Sequence, residues 1–468
     1  MTSAATAPAS MAMRAASLPE RAVQEWSQAL PAGTENYESD VRRFGAFWTQ
    51  SAALLRTLPD KARRDEAEQG AADALLTVAR ASREAFLAAH VDEIYDRLTA
   101  RRSIFRRLDD LAYDAAKLVP GLVPTRAEVD AEAAHLQRDK DGVEIDQGLF
   151  LAHVLSRPLI GEHLCHAMLL PRQESAGLAA EFASRGSLDL GAARLTRRGK
   201  AVHLDMINPR FLNAEDDTTL SHTELAVDVA TLDRTTDIAV MRGVAVENEK
   251  YRGKRIFGAG INLTHLYLGK IPFLWFLIRD LGYVHKLLRG LARPDSVPDD
   301  VNGRGTEKLW IAALDTFAIG GHCQALLVMD YVLAASDAFI TLPARKEGII
   351  PGFANLRLPR FTGDRIAREA ILYERRLTCD SADGRLICDE IAPAAEMDAA
   401  IERVVAGLTS AGAVSAIGNR RAFRVGQEPL DLFRRYASVY AREQAYCHFS
   451  PALIANLERN WDAKNRKV

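Results

Sequence analysis

Residues 308–335 read KLWIAALDTFAIGGHCQALLVMDYVLAA. The largely apolar stretch over 308–317 predicts a strand, and the paired glycines predict a tight turn. From that turn a helix is predicted over 320–335. An earlier segment repeats the pattern, with a helix expected over 216–232 followed by the apolar strand DIAVMRGV at 237–244. Strand alternating with helix at this spacing is the βαβ rhythm of an α/β sheet covered by helices. Ahead of it, LDLGAARLTRRG (188–199) and KAVHLDMINP (200–209) predict two strands joined by a turn at Arg198 and Gly199.

Outside this core the texture is helical. Residues 20–186 place apolar side chains at helical spacing, as in KARRDEAEQGAADALLTVARASREAFLAAHVDEIYDRLT (61–99), and PGLVPTRAEV (120–129) separates one helix from the next. The Ala- and Ser-rich residues 1–19 are expected to be a disordered tail, with Arg14 standing where a secretory signal needs its apolar run. From 395 the chain turns helical again and ends on a polar segment suited to a surface or subunit contact. The expected division is therefore a tail (1–19), a helical N-terminal domain (20–186), an α/β core (187–394) and a C-terminal helical region (395–468).

The balance of 60 Lys and Arg against 62 Asp and Glu in 468 residues argues against nucleic-acid or membrane partners. Five cysteines without CxxC spacing fit a reducing, cytoplasmic setting. The most apolar stretch, 271–278, is too short to span a bilayer and is bracketed by Lys270 and Arg279.

Two glycine turns carry the chemistry: IFGAGINL (256–263) and FAIGGHC (317–323). Glycine lets backbone approach a ligand closely, so a pair of such turns can aim two peptide N–H groups at one oxygen. A helix starting at the second adds its positive dipole end. Taken singly, other residues have ordinary readings. Glu215 sits where an acidic residue caps a helix, Arg279 neighbours Asp280, and Gln324 is a polar position on an amphipathic helix. Glu162, His163, Cys165 and His166 lack the spacing of a structural zinc site and are expected to be a satisfied, partly buried cluster. His322 either orients a substrate or serves the structure. Lys254 and Arg255, in a basic run, are a solvated loop or a phosphate contact.

The segments INPRFLNAED (207–216), FGAGINL (257–263), DTFAIGGHCQALLVMDYVLAASDAFITLP (315–343) and EGIIPG (347–352) together resemble the crotonase, or enoyl-CoA hydratase, superfamily over about 188–393. The resemblance implies a ββα spiral core, assembly as trimers or paired trimers, and an acyl-CoA substrate. It makes the amides of Ile261 and Gly321 the oxyanion donors. Hydratases carry two catalytic glutamates where this chain has Gln324 and Ala344, so hydration by a glutamate pair is not expected. Ala344, Ile349 and Ile350 would instead line an apolar niche suited to dioxygen.

The helical extension and GKIPFLWFLIRDLGYVHKLLRG (269–290) further resemble a cofactor-independent dioxygenase branch of that superfamily, used in dihydroxyphenylglycine and antibiotic biosynthesis. That likeness implies conversion of (3,5-dihydroxyphenyl)acetyl-CoA and O2 to 3,5-dihydroxyphenylglyoxylate and free CoA, with no metal or flavin. Glu215, Arg279 and Gln324 would grip the ring hydroxyls, and Lys254 and Arg255 would meet the coenzyme A phosphates. The alternatives are an aryl-acyl-CoA thioesterase and a noncatalytic acyl-CoA-binding scaffold.

Overall fold

The computed structural model describes residues 6–299 and 304–466. Among the described residues, ten strands form two sheets. The larger contains β1 (Ser187–Asp189), β2 (Ala193–Arg198), β3 (Ala201–Met206), β4 (Ile238–Gly243), β5 (Leu309–Leu314), β7 (Tyr331–Ala335) and β10 (Glu390–Ala392), in that order across the sheet. The smaller contains β6 (Phe317–Ile319), β8 (Phe339–Thr341) and β9 (Leu377–Thr378). β1, β2 and β3 pair antiparallel, and the ladder from β3 through β4, β5, β7 and β10 is parallel. Every residue of β4 and β5 is buried, which is why these central parallel strands read as apolar runs, with Arg242 of β4 paired to Asp315 and Asp398.

Three local expectations change. The helix after the glycine turn spans only Gly321–Leu326, and the rest of the expected helix is β7. Asp330 makes the switch: its N–H donates to the Trp310 carbonyl at 3.0 Å and its Oδ2 accepts the Trp310 N–H at 2.8 Å, which draws the following residues into register beside β5. The 188–209 region makes three strands, with Arg198 paired to Ala201 across Gly199 and Lys200. The expected tail also folds. Residues 1–5 lie outside the described residues, but Ala7–Ala15 is a helix whose Ala9 and Met13 are buried, because Ala9 and Met13 fall one turn apart on one apolar face.

The N-terminal helical region ends at Arg185 and the C-terminal one begins at Met397. The first and last helical regions share a single core, in which Phe150 and Leu155 pack with Phe433 and Ala441 and with Phe273–Leu281, the helix that carries Arg279. The sheet and its helices form a second core. Arg107 on the N-terminal side reaches Glu224 of the Leu220–Leu232 helix at 2.9 Å, and Lys286 bridges Glu224 and Asp228 at 2.8 Å each. No single helix among the described residues is long and apolar enough to cross a membrane. One bent pair, 394–409 with 413–427, passes by length and composition.

Candidate active site

The first glycine turn is stitched to the segment carrying Glu215. The Glu215 N–H donates to the Gly260 carbonyl and the Asn262 N–H donates to the Glu215 carbonyl, each at 2.7 Å. This is a parallel bridge between Glu215 and Ile261. In a parallel bridge the partner's two neighbours make the bonds, so the amide of Ile261 itself faces away, with no protein acceptor among the described residues. Gly260 holds φ +79°, and His322 Nδ1 accepts its N–H at 3.1 Å. Burial pushes the His322 imidazole down to about 4, so it is neutral at physiological pH and its Nδ1 lone pair is available to fix the turn.

The second turn is set against the first. Gly320 (φ +54°) donates its N–H to Thr341 at 2.9 Å, and Gly321 opens the short helix, so its N–H has no intrahelical acceptor. A Cβ on Gly260 would lie 2.9 Å from the Ile319 carbonyl oxygen and 3.4 Å from the Gly321 nitrogen, so the approach of the two turns depends on glycine there. Ile261 and Gly321 both line one narrow cavity of about 30 Å³.

Glu215, Arg279 and Gln324 meet on its wall. Arg279 Nε lies 2.9 Å from both Glu215 oxygens, and Nη1 donates to Gln324 Oε1 at 2.8 Å and to Asp280 Oδ1 at 2.6 Å. Nη2 donates to the Gly321 carbonyl at 2.6 Å, so the guanidinium also braces the second turn from behind. Tyr283 adds its hydroxyl proton to Glu215. Burial alone would raise both carboxyls. At Glu215 the charge of Arg279 and the hydrogen bonds from Arg279 and Tyr283 reverse this and hold it below the usual range, whereas Asp280, with a smaller share of the same guanidinium, stays above it.

Ala344, Ile349 and Ile350 line the same cavity, with Leu342, Pro343 and Tyr440. Sequence reading paired Arg279 with Asp280, as the structure has it, but missed Tyr283 as a member of the charged network and missed Glu347, which lines the same cavity. The signal for Glu347 was present, since it lies one helical turn beyond Ala344 on the Ala344–Glu347 helix. Lys254 and Arg255 do not line the cavity: Arg255 bonds the Gly243 carbonyl at 3.1 Å and lies 3.4 Å from Asp205, and Lys254 is exposed. In the histidine-rich helix, His163 bonds the Tyr95 hydroxyl at 2.8 Å and the Arg102 carbonyl at 3.1 Å, and His166 bonds the Arg293 carbonyl at 3.0 Å. Asp216, Asp217 and His265 cluster outside the cavity lining, with Asp216 held by Asn208 and Asn262.

Residues 304–424 match the Enoyl-CoA hydratase/isomerase family. Among solved structures, an enoyl-CoA hydratase from Mycobacterium avium subsp. paratuberculosis K-10 covers 57% of this chain and 98% of its own at 18% identity and a TM-score of 0.48. An enoyl-CoA hydratase/isomerase from Xanthobacter autotrophicus Py2 covers 59% and 96% at 20% identity and 0.46. The (3,5-dihydroxyphenyl)acetyl-CoA 1,2-dioxygenase of Amycolatopsis orientalis is 47% identical over 393 residues, 84% of this chain and 89% of that protein. By that extent of shared sequence, the chain belongs to the family of this dioxygenase, within the crotonase superfamily.

Proposed function

We propose that this protein is a dioxygenase that converts (3,5-dihydroxyphenyl)acetyl-CoA and O2 to 3,5-dihydroxyphenylglyoxylate and free CoA without metal or flavin. The observation that carries the reading is the pair of acceptor-free amides, Ile261 and Gly321, on one buried cavity beside the Glu215–Arg279–Gln324 cluster.

Loss of a Cα proton leaves an electron pair delocalised onto the thioester oxygen. Two fixed amides in a dry site hold that charge, and one such donor is typically worth about 3–4 kcal/mol of barrier. Phenol hydroxyls both donate and accept, so a carboxylate, a guanidinium and an amide can satisfy both of them. The carbanion then gives its electrons to O2, forming a Cα–O bond and a terminal peroxide. That peroxide attacks the thioester carbonyl and the C–S bond breaks. Cleavage of the O–O bond with loss of the second Cα hydrogen as a proton yields the 2-oxo carboxylate, and one O2 supplies both new oxygens.

Ala344, Ile349 and Ile350 form the apolar wall against which O2 sits, and Lys254 and Arg255 lie on the coenzyme A approach. The enzyme works in the cytoplasm as a trimer or pair of trimers, with the C-terminal helical region making contacts between copies. The test is oxygen uptake with CoA release by metal- and flavin-free protein given this thioester. CoA release without oxygen uptake would instead mean a thioesterase.

A further inference from the structure

The reaction needs a group to take the Cα proton, and both positions that hold carboxylates in hydratases are occupied here by Gln324 and Ala344. One carboxyl on the cavity is uncommitted. Glu347 is 5% exposed and lines the same cavity as Ile261 and Gly321, and its oxygens make no hydrogen bond among the described residues. The other acidic groups lining the cavity are engaged, Glu215 by Arg279 and Tyr283 and Asp280 by Arg279. The backbone aims Glu347 there: its helix lasts one turn from Ala344, and Gly348 at φ +82° ends it by donating its N–H to the Ala344 carbonyl at 2.7 Å. A buried carboxyl left without a partner costs stability, and such groups gather where a protein uses them.

We propose that Glu347 is the general base, taking the first Cα proton of the substrate and returning it to the coenzyme A thiolate when the C–S bond breaks. This rests on the dioxygenase reading above. The carboxylate accepts H+ as the Cα–H electron pair passes to carbon, and it gives the same proton to sulfur, so it ends each turnover ionised. The second Cα proton leaves with O–O cleavage. Once protonated, Glu347 is neutral, and O2 then meets an uncharged wall of Ala344, Ile349 and Ile350 while the negative charge sits on the substrate.

Burial, with Glu374 adding repulsion, pushes the Glu347 carboxyl up to about 8, near the working range of a base. The charged and titratable groups around it are Arg345 and Lys346 on its own helix, and Lys346 is paired with Glu374 at 2.6 Å. Glu215, Arg279, Asp280 and Tyr440 line the same cavity; of the helices packed against its own, Ala354–Leu372 carries Arg357, held by Glu428, and Pro451–Trp461 carries Glu458 and Arg459.

The test separates proton removal from oxygen chemistry. Without oxygen, in D2O, the wild type should exchange the Cα hydrogens of (3,5-dihydroxyphenyl)acetyl-CoA. Glu347→Gln should slow both this exchange and aerobic oxygen uptake by at least about 100-fold, with KM changed little. Glu347→Asp should retain part of the rate, and formate should restore activity to Glu347→Ala. The wild-type rate should rise with pH to a plateau above about 8, a limb absent from Glu347→Gln. Exchange and uptake by Glu347→Gln within threefold of wild type would overturn the assignment while leaving the dioxygenase reading intact. Wild-type exchange that Glu347→Gln loses, with no oxygen uptake by either, would keep the base and overturn the dioxygenase. A wild type inert in both assays would remove both.

Discussion

Arg279 holds Glu215, Asp280, Gln324 and the Gly321 carbonyl with one planar fork, and no lysine can reach four acceptors at such angles. Arg279→Lys is therefore expected to lower kcat/KM by about 100-fold and to destabilise the fold by about 3–5 kcal/mol, because buried carboxyls lose their partner. Steady-state kinetics and urea denaturation would check both, and a stable variant with wild-type kinetics would contradict the bracing role. At Gly321 an added Cβ would lie 2.6 Å from Glu215 Oε2 and 3.0 Å from Arg279 Nη2. Gly321→Ala should consequently cost about 100-fold or more in kcat while the melting temperature falls only modestly. Glu215, Arg279 and Gln324 were legible because a motif fixed their positions. Asp280 was legible as the neighbouring partner of Arg279, whereas Tyr283 was not, since a side chain four places beyond Arg279 converges on its network only once the helix is packed.

Among the elements, the 308–335 stretch shows what a sequence conceals. A continuous apolar run satisfies a buried strand and a buried helix equally, and the decision lay with Asp330 bonding the Trp310 backbone across the sheet, a contact with no local trace. The strands β4 and β5 were legible because length and flanking turns settled them. The helix Ala7–Ala15 was missed for a related reason: alanine-rich sequence without strong charge patterning resembles a tail until Met13 finds its place in the core. Met13→Ala should destabilise the protein by about 2–5 kcal/mol, read as a lower urea midpoint. An unchanged midpoint would mean that the first helix contributes nothing to the fold.

At the scale of the molecule, buried groups of opposite habit set a window of stability. His163, His203 and His322 are each pushed down to about 4 by burial, so they favour folding above their ordinary 6.5 and that contribution is lost as pH falls from about 6.5 to about 4. Glu144 and Glu347 are pushed up to about 7 and about 8, so their contribution is complete below 4.5 and is lost as pH rises through those values. Stability should peak between about pH 6 and 7 and fall on both sides, and Glu347→Gln should flatten the alkaline limb. A urea midpoint climbing steadily to pH 9 would contradict this account.

The cavity at the meeting of the two cores holds about 30 Å³, whereas a cavity that admits benzene measures about 150 Å³. A substrate ring therefore cannot simply diffuse in. Residues that line it, Trp275, Phe276, Ile349, Ile350 and Tyr440 among them, have to make room, so the association rate should fall well short of the collision limit. The same tight fit shields a reactive carbanion from stray water once the door has shut behind its guest.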